Sequence, residues 1–393
     1  MPRSGKALTR LLADIQPLRE SPAFRRLWIG SGVSNVGAWM ASFAIGLQIW
    51  DLTHSSLAVG ALGVVQAVPA VLAGMLGGSV SDAMDRRVLV LITSSSLAVI
   101  SGIFALQAFL NLRELFLLYV LAVQVSLLVG PAVGGLLTAV GGLKFCYLVD
   151  AVSFGAALYG IARLPALPPQ REGQKPGLAA AVEGFRFIRS QPVLLAAFTL
   201  DFGAMALGMP RALFPALNAG HFGGHPETPG FITAATAAGG LLGSVLSGRL
   251  SGVPRKGRAM IITVSLWGAC IAVFGFTRVL WLAILALVAA GVLDVASVIF
   301  RGTIVQVITP ESFRGRVTSS DYIIGSTGPQ LGNFEAGIVA TLTTPAISAI
   351  SGGLATTLLG VLARLVAPAF ADYTAEATPG EAAGDHAEPA AAS

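Results

Sequence analysis

The chain has 393 residues, of which 54% are hydrophobic and 11% charged, and its mean hydropathy is +0.76. Soluble domains carry about 25% charged residues, so a cytosolic enzyme, a nucleic-acid binder and a disordered protein are all excluded. The net charge of +5 does not restore a nucleic-acid reading, because the basic residues sit in short clusters between apolar runs, as the positive-inside rule expects. The 47 glycines show no three-residue period, so collagen is excluded; in apolar segments glycine is a packing residue. Two cysteines, Cys146 and Cys270, are too few for a disulfide framework. The composition fits an all-α polytopic membrane protein.

Residues 1–26 form a basic N-terminal segment holding Arg3, Lys6, Arg10, Arg19, Arg25 and Arg26. It precedes the first apolar run and is expected in the cytoplasm. A span needs roughly 20 apolar residues. Runs of that kind fall at about 27–50, 57–80, 88–110, 115–140, 145–163, 193–217, 231–250, 259–277, 280–305, 320–341 and 346–369, which makes eleven. The stretch 164–192, with Pro165, Pro168, Pro169 and Pro176, reads as a cytoplasmic central loop. It separates an N-terminal membrane half, 27–163, from a C-terminal half, 193–369. Residues 370–393 read as a disordered cytoplasmic tail.

The second half alternates cleanly. Its basic loops, 249–258 and 306–319, fall on the cytoplasmic side, and the loops 218–230 and 342–345 hold no Lys or Arg. The first half does not close. Five crossings from a cytoplasmic start would leave the basic central loop outside, so the parity defect lies between about 111 and 146.

Gly77-Gly78-Ser79-Val80-Ser81-Asp82-Ala83-Met84-Asp85-Arg86-Arg87 follows the second span. Asp82 can cap the next helix or pair with an arginine, and Arg86 and Arg87 hold the turn in the cytoplasm. Gly243 to Arg258 is a degenerate counterpart in the second half, as an internal repeat would leave. Ser126-Leu127-Leu128-Val129-Gly130-Pro131-Ala132-Val133-Gly134-Gly135 has a small packing face, and its proline would kink a helix. A plain charged turn and an ordinary small-residue face are the bland alternatives.

These stretches resemble the loop signature and the antiporter motif of the major facilitator superfamily. Gly130, Pro131, Gly134 and Gly135 match the antiporter pattern, with Ser126 where a first glycine is usual. Asp201 to Pro215, containing Gly208-Met209-Pro210-Arg211-Ala212-Leu213-Phe214-Pro215, and Asp294 to Val317, ending Arg314-Gly315-Arg316-Val317, look like the superfamily's enterobactin-exporter-like branch, the transmembrane secretion effectors. The resemblance covers most of 16–370. It implies a two-half bundle on a twelve-helix plan, of which this chain carries about eleven spans, with helices four and five truncated and fused. The charge parity points to the same place.

Charged groups at a helix centre cost about 2.5–3.5 kcal/mol on insertion scales, so each needs a partner or a wet path. Asp201, Asp294 and Glu335 are the proton-coupling candidates, because an acid withdrawn from water can exchange a proton and bias two conformations. Structural ion pairing is the alternative. Asp294 and Arg301 stand seven apart, two turns along one helix face. Asp82, Arg86, Arg87, Arg211, Arg301, Arg314 and Arg316 are the ion-pair or gating candidates. Glu335 has no basic residue near it in sequence, and Asn333 stands where the resemblance implies an acid. Asn35, Gln48, Gln66 and Gln124 are candidates for lining a cavity, against interhelical hydrogen bonding as the equal alternative.

There is no Gly-x4-Gly-Lys-Ser/Thr phosphate loop, no nucleophile constellation and no metal spacing. The chain therefore reads as a non-enzyme without cofactor, metal or nucleic-acid partner. The expectation is a monomeric secondary transporter in the inner or plasma membrane, N-terminus cytoplasmic. It would exchange protons for a small amphipathic substrate, such as a drug or a siderophore, by alternating access. The alternative is a truncated, transport-inactive relative with a binding or structural role in the membrane.

Overall fold

The computed structural model describes residues 41–83, 86–110, 112, 114–125, 148, 151–152 and 178–374. Among these, every regular element is helical. The first bundle holds α1 (41–53), α2 (Ser56–Ala83), α3 (Arg86–Phe109) and α4 (Leu115–Val125). Then come α5 (Leu178–Ser190), α6 (Pro192–Gly208), a short 3₁₀ turn (Arg211–Leu213) and α7 (Phe214–His221). The rest of the second bundle is α8 (Thr228–Val245), α9 (Ser247–Ser251), α10 (Lys256–Phe276), α11 (Leu280–Ile308), α12 (Arg314–Leu342), α13 (Pro345–Val366) and α14 (Pro368–Ala371). Five described segments are long and apolar enough to cross a bilayer: Leu91–Phe109, Pro192–His221, Lys256–Phe276, Leu280–Ile308 and Pro345–Val366.

Long apolar side chains stay exposed on the outer faces, among them Trp281, Leu285, Leu358 and Leu365. Such faces suit lipid, where burial inside the protein brings no hydrophobic gain. Close packing of small residues therefore holds the helices together. A Cβ at Gly268 would stand 2.6 Å from the carbonyl oxygen of Gly353, so α10 and α13 touch backbone to backbone. α2 and α12 meet in the same way through Gly60, Gly63 and Gly337. α12 is the polar long helix, carrying Arg314, Arg316, Asp321 and Glu335, and it lies against both α2 and α6.

Buried apolar residues form two clusters. One is built from α1 to α4, with Phe104, Ile45, Ile49 and Leu118 at its centre and Ala212 joining from the other bundle. The other runs from Ile188 to Ala371.

One helix departs from the sequence reading. α5 lies inside the 164–192 stretch, which its prolines and charges mark as loop. Its packed side explains it. Ile188 is buried, Glu183 pairs with Arg316 at 2.9 Å, and the Phe187 ring stacks on Phe313 with centroids 4.8 Å apart. Gly184 rides directly on the backbone at Arg316. The segment 126–147, which holds Gly130, Pro131, Gly134, Gly135 and most of the parity defect, lies outside the described residues, as does Asn35.

Candidate functional site

The run from Pro192 to His221 is long enough for one span, yet it breaks at Met209-Pro210. Proline lacks the N–H that would continue the helix, and it pushes the preceding residue toward extended backbone. Met209 is indeed extended, at φ −77° and ψ 109°. The chain then turns through Arg211–Leu213 and restarts as α7 with Pro215 in its first turn. Asn333 on α12 closes the break: its Oδ1 accepts from the Ala212 N–H at 3.1 Å. A freed backbone donor at membrane depth needs such a partner. The residue that replaces an expected acid thus serves as a cap.

The break aims Arg211 into a cavity of about 450 Å³ between the two bundles. Ser42 and Phe43 of α1 and Gln66 of α2 line it from one bundle. Arg211, Phe214, Thr236 of α8, Asp294 of α11, and Gln330 and Asn333 of α12 line it from the other. Arg211 lies deep in the fold but is exposed to this space. Arg211 and Asp294 act on each other electrostatically. They are the two ionisable side chains in the described lining.

A second charge cluster lies two turns along α11. Arg301 Nη1 stands 3.2 Å from Asp201 Oδ2 of α6 and donates to Asp321 Oδ1 of α12 at 2.6 Å. Arg301 and Asp201 are buried, whereas the Asp321 side chain is 34% exposed. The guanidinium also lies 5.7 Å from the Phe198 ring centroid, within cation–π range. Asp294 feels Arg301 as well as Arg211, so the charges form a chain from the cavity to Asp321.

Asp294 and Arg301, two turns apart on α11, act on each other electrostatically without a direct salt bridge among the described residues. Seven residues along a helix is about 10.5 Å, and Arg301 takes its direct partners from α6 and α12 instead. Asp321 is the residue that sequence reasoning misses. The signal that could have found it is a third acid on the same polar helix as Arg316 and Glu335.

Gln66 lines the cavity. Gln48 does not: its amide faces Gln107 of α3, with reciprocal hydrogen bonds of 3.3 and 3.1 Å. Gln124 lies on α4, Asp82 on α2, and Arg86 and Arg87 open α3. Glu335 is half-buried, makes no ion pair among the described residues and is absent from the described cavity lining. Arg314 is exposed; Arg316 pairs with Glu183 and sits over the Phe313 ring.

The amide pair yields a contained prediction. Interhelical hydrogen bonds in membranes average about 0.6 kcal/mol. Gln48→Leu or Gln107→Leu alone should therefore lower stability by about 1 kcal/mol, by stranding one amide. The double substitution should recover most of that loss in a thermal-unfolding series in detergent, because neither amide is then left unsatisfied.

A two-bundle helical membrane protein with a polar, charged cavity at the bundle interface has the architecture of a membrane transporter. The chain belongs to the transmembrane secretion effector family, which it matches over residues 13–127 and 117–383. Enterobactin exporter EntS of Shigella boydii serotype 18 is 28% identical over 394 residues, covering 90% of this chain and 94% of that protein. The EntS of Escherichia coli O81 is 27% identical with the same coverage. Among solved structures, a point mutant of the nucleoside transporter NupG is similar at a TM-score of 0.69 and 13% identity, covering 88% of this chain and 100% of that one. The human organic anion transporter MFSD10 is similar at a TM-score of 0.62 and 13% identity, covering 88% and 100%. The fold is that of the major facilitator transporters.

Proposed function

We propose that this protein is a proton-coupled exporter of small amphipathic molecules that works by alternating access. The observation that carries the reading is the charge chain that runs from the interface cavity into the second bundle as far as Asp321. Asp201, Asp294 and Asp321 face Arg211 and Arg301, so among the described residues three carboxylates share two guanidiniums. One negative charge is left over in a setting where an unmatched charge is costly. A single proton removes it. Asp321, the most exposed member of the Arg301 cluster, is the port through which that proton exchanges. Gaining or losing it changes how strongly α6, α11 and α12 hold together, which is what a bistable element needs.

The relatives support outward transport, since EntS is named as an exporter of enterobactin. A siderophore-like or drug-like amphipath is the substrate class this likeness favours. The α2–α12 seam would act as one of the closing surfaces, and rocking of the bundles would part it. A second reading has its own support: the family match comes in two stretches that overlap at 117–127, where the charge parity fails. That is what an internal loss would leave, and it favours a transport-inactive relative.

Accessibility tests the rocking without adding a side chain to the glycine seam. Ser56 of α2 is buried, and its carbonyl oxygen lies against Gly337 of α12. In a protein with Cys146 and Cys270 replaced by Ser, Ser56→Cys should resist a water-soluble maleimide at rest and be labelled when substrate and a proton gradient drive the cycle. Labelling that is the same at rest and during transport would rule out this seam as a moving surface.

A further inference from the structure

The interface cavity carries one charge of each sign in its described lining: the cation Arg211, which is exposed to the space, and the anion Asp294. The hydroxyls of Thr233 and Thr236 are committed to their own helix, donating to Pro229 O at 2.9 Å and Ile232 O at 3.5 Å. The amides of Gln66 and Gln330 are not committed. Gln66 is 5% exposed, and neither amide has a hydrogen-bond partner among the described residues. Amides that open onto a cavity without a protein partner are left to hydrogen-bond a ligand or water there. The two come from different bundles, Gln66 from α2 and Gln330 from α12, so a ligand held by both touches both sides of the interface.

We infer that the cavity selects a zwitterionic amphipath, with the ligand's carboxylate on Arg211, its ammonium on Asp294 and its amide or hydroxyl groups on Gln66 and Gln330. The inference rests on the exporter reading, because it takes this cavity as the transport site. Arg recognises a carboxylate through two parallel hydrogen bonds. A purely cationic ligand would satisfy Asp294 and face the Arg211 guanidinium. A purely anionic one would be attracted by Arg211 and repelled by Asp294. A neutral one would desolvate both without replacing the lost water. Specificity of this kind comes from the penalty on the mismatched ligand. Phe214 offers an apolar wall for the rest of the molecule.

Three probes that share one apolar ring separate these cases. They are 2-naphthylalanine, its methyl ester, which is a cation, and its N-acetyl derivative, which is an anion. Binding is read by naphthyl fluorescence polarisation on the full chain in detergent at one fixed pH. The wild type should bind the free amino acid at least about tenfold more tightly than either derivative, the scale set by one charge-assisted hydrogen bond. Arg211→Gln should bring the amino acid down to the level of the ester, and Arg211→Lys should restore part of the difference. Asp294→Asn should bring it down to the level of the N-acetyl compound.

Equal binding of the three probes by the wild type would overturn the inference, and so would absence of binding by all three. A preference that survives both neutralisations would overturn it too. The wild-type comparison needs no variant, so a substitution that fails to fold does not shelter the idea. Gradient-driven efflux without this preference would sink the zwitterion assignment and leave the exporter reading standing. The preference without gradient-driven efflux would do the reverse.

Discussion

Arg301→Gln is expected to cost about 3–5 kcal/mol of stability, the range for removing one partner of a buried charge group. The change leaves Asp201, which is 6% exposed, and Asp321 facing each other with no guanidinium between them. Two carboxylates cannot both stay ionised there. Unfolding in a graded denaturant series, followed by far-UV circular dichroism, reads the loss. The sign is checked by rescue: Asp201→Asn added to Arg301→Gln removes the deepest uncompensated acid and should recover part of the stability. Asp201→Asn alone should be milder than Arg301→Gln, since Asp321 still holds the arginine at 2.6 Å. An Arg301→Gln protein as stable as the wild type would mean that the cluster is wet and unstrained, and that its surplus charge carries no conformational weight.

Gly63→Val is expected to stop transport while leaving membrane insertion intact. The Cβ of a side chain at 63 would run into the backbone carbonyl of Gln330, and backbone cannot swing aside as a side-chain tip can. Gly60 and Gly337 make the same kind of contact on the same seam, so α12 has nowhere to slide. Overpacking of this type costs about 1–3 kcal/mol. Here it falls on the contact between bundles, and the seam should be held apart. Gly102→Ala is the control, because nothing lies within 4 Å of a Cβ there. It should insert, fold and transport like the wild type. Transport by Gly63→Val at the wild-type rate would show that α2 and α12 need not touch during the cycle.

The helices are legible in the sequence because the membrane sets their length: runs of roughly 20 apolar residues can hardly be anything else. The break at Met209-Pro210 is legible as well, from Pro210 and Pro215 within one span. The partners of Arg301 are not. Asp201 is 100 residues away and Asp321 is 20, on two different helices, and no local period joins them to α11. Periodicity places Asp294 and Arg301 on one stripe but cannot say which neighbour each will meet. Asn333 is visible only as an acid not present, because its task is to cap a backbone break on another helix. Gln48 and Gln66 look alike in sequence, yet one is paired to Gln107 and the other faces the cavity. α5 is hidden by its surroundings: prolines and charges dominate 164–192, and the side that packs is short, made of Glu183, Gly184, Phe187 and Ile188.

The central claim is that the surplus carboxylate exchanges a proton and thereby drives export. The most direct test is uptake of an amphipathic fluorescent dye into everted membrane vesicles that hold the full chain, under an imposed proton gradient with an acidic lumen. Transport of dye should follow the gradient, collapse when a protonophore is added, and be lost in Asp321→Asn while dye binding persists. Dye movement indifferent to the gradient, or coupling left unchanged in both Asp201→Asn and Asp321→Asn, would contradict the claim.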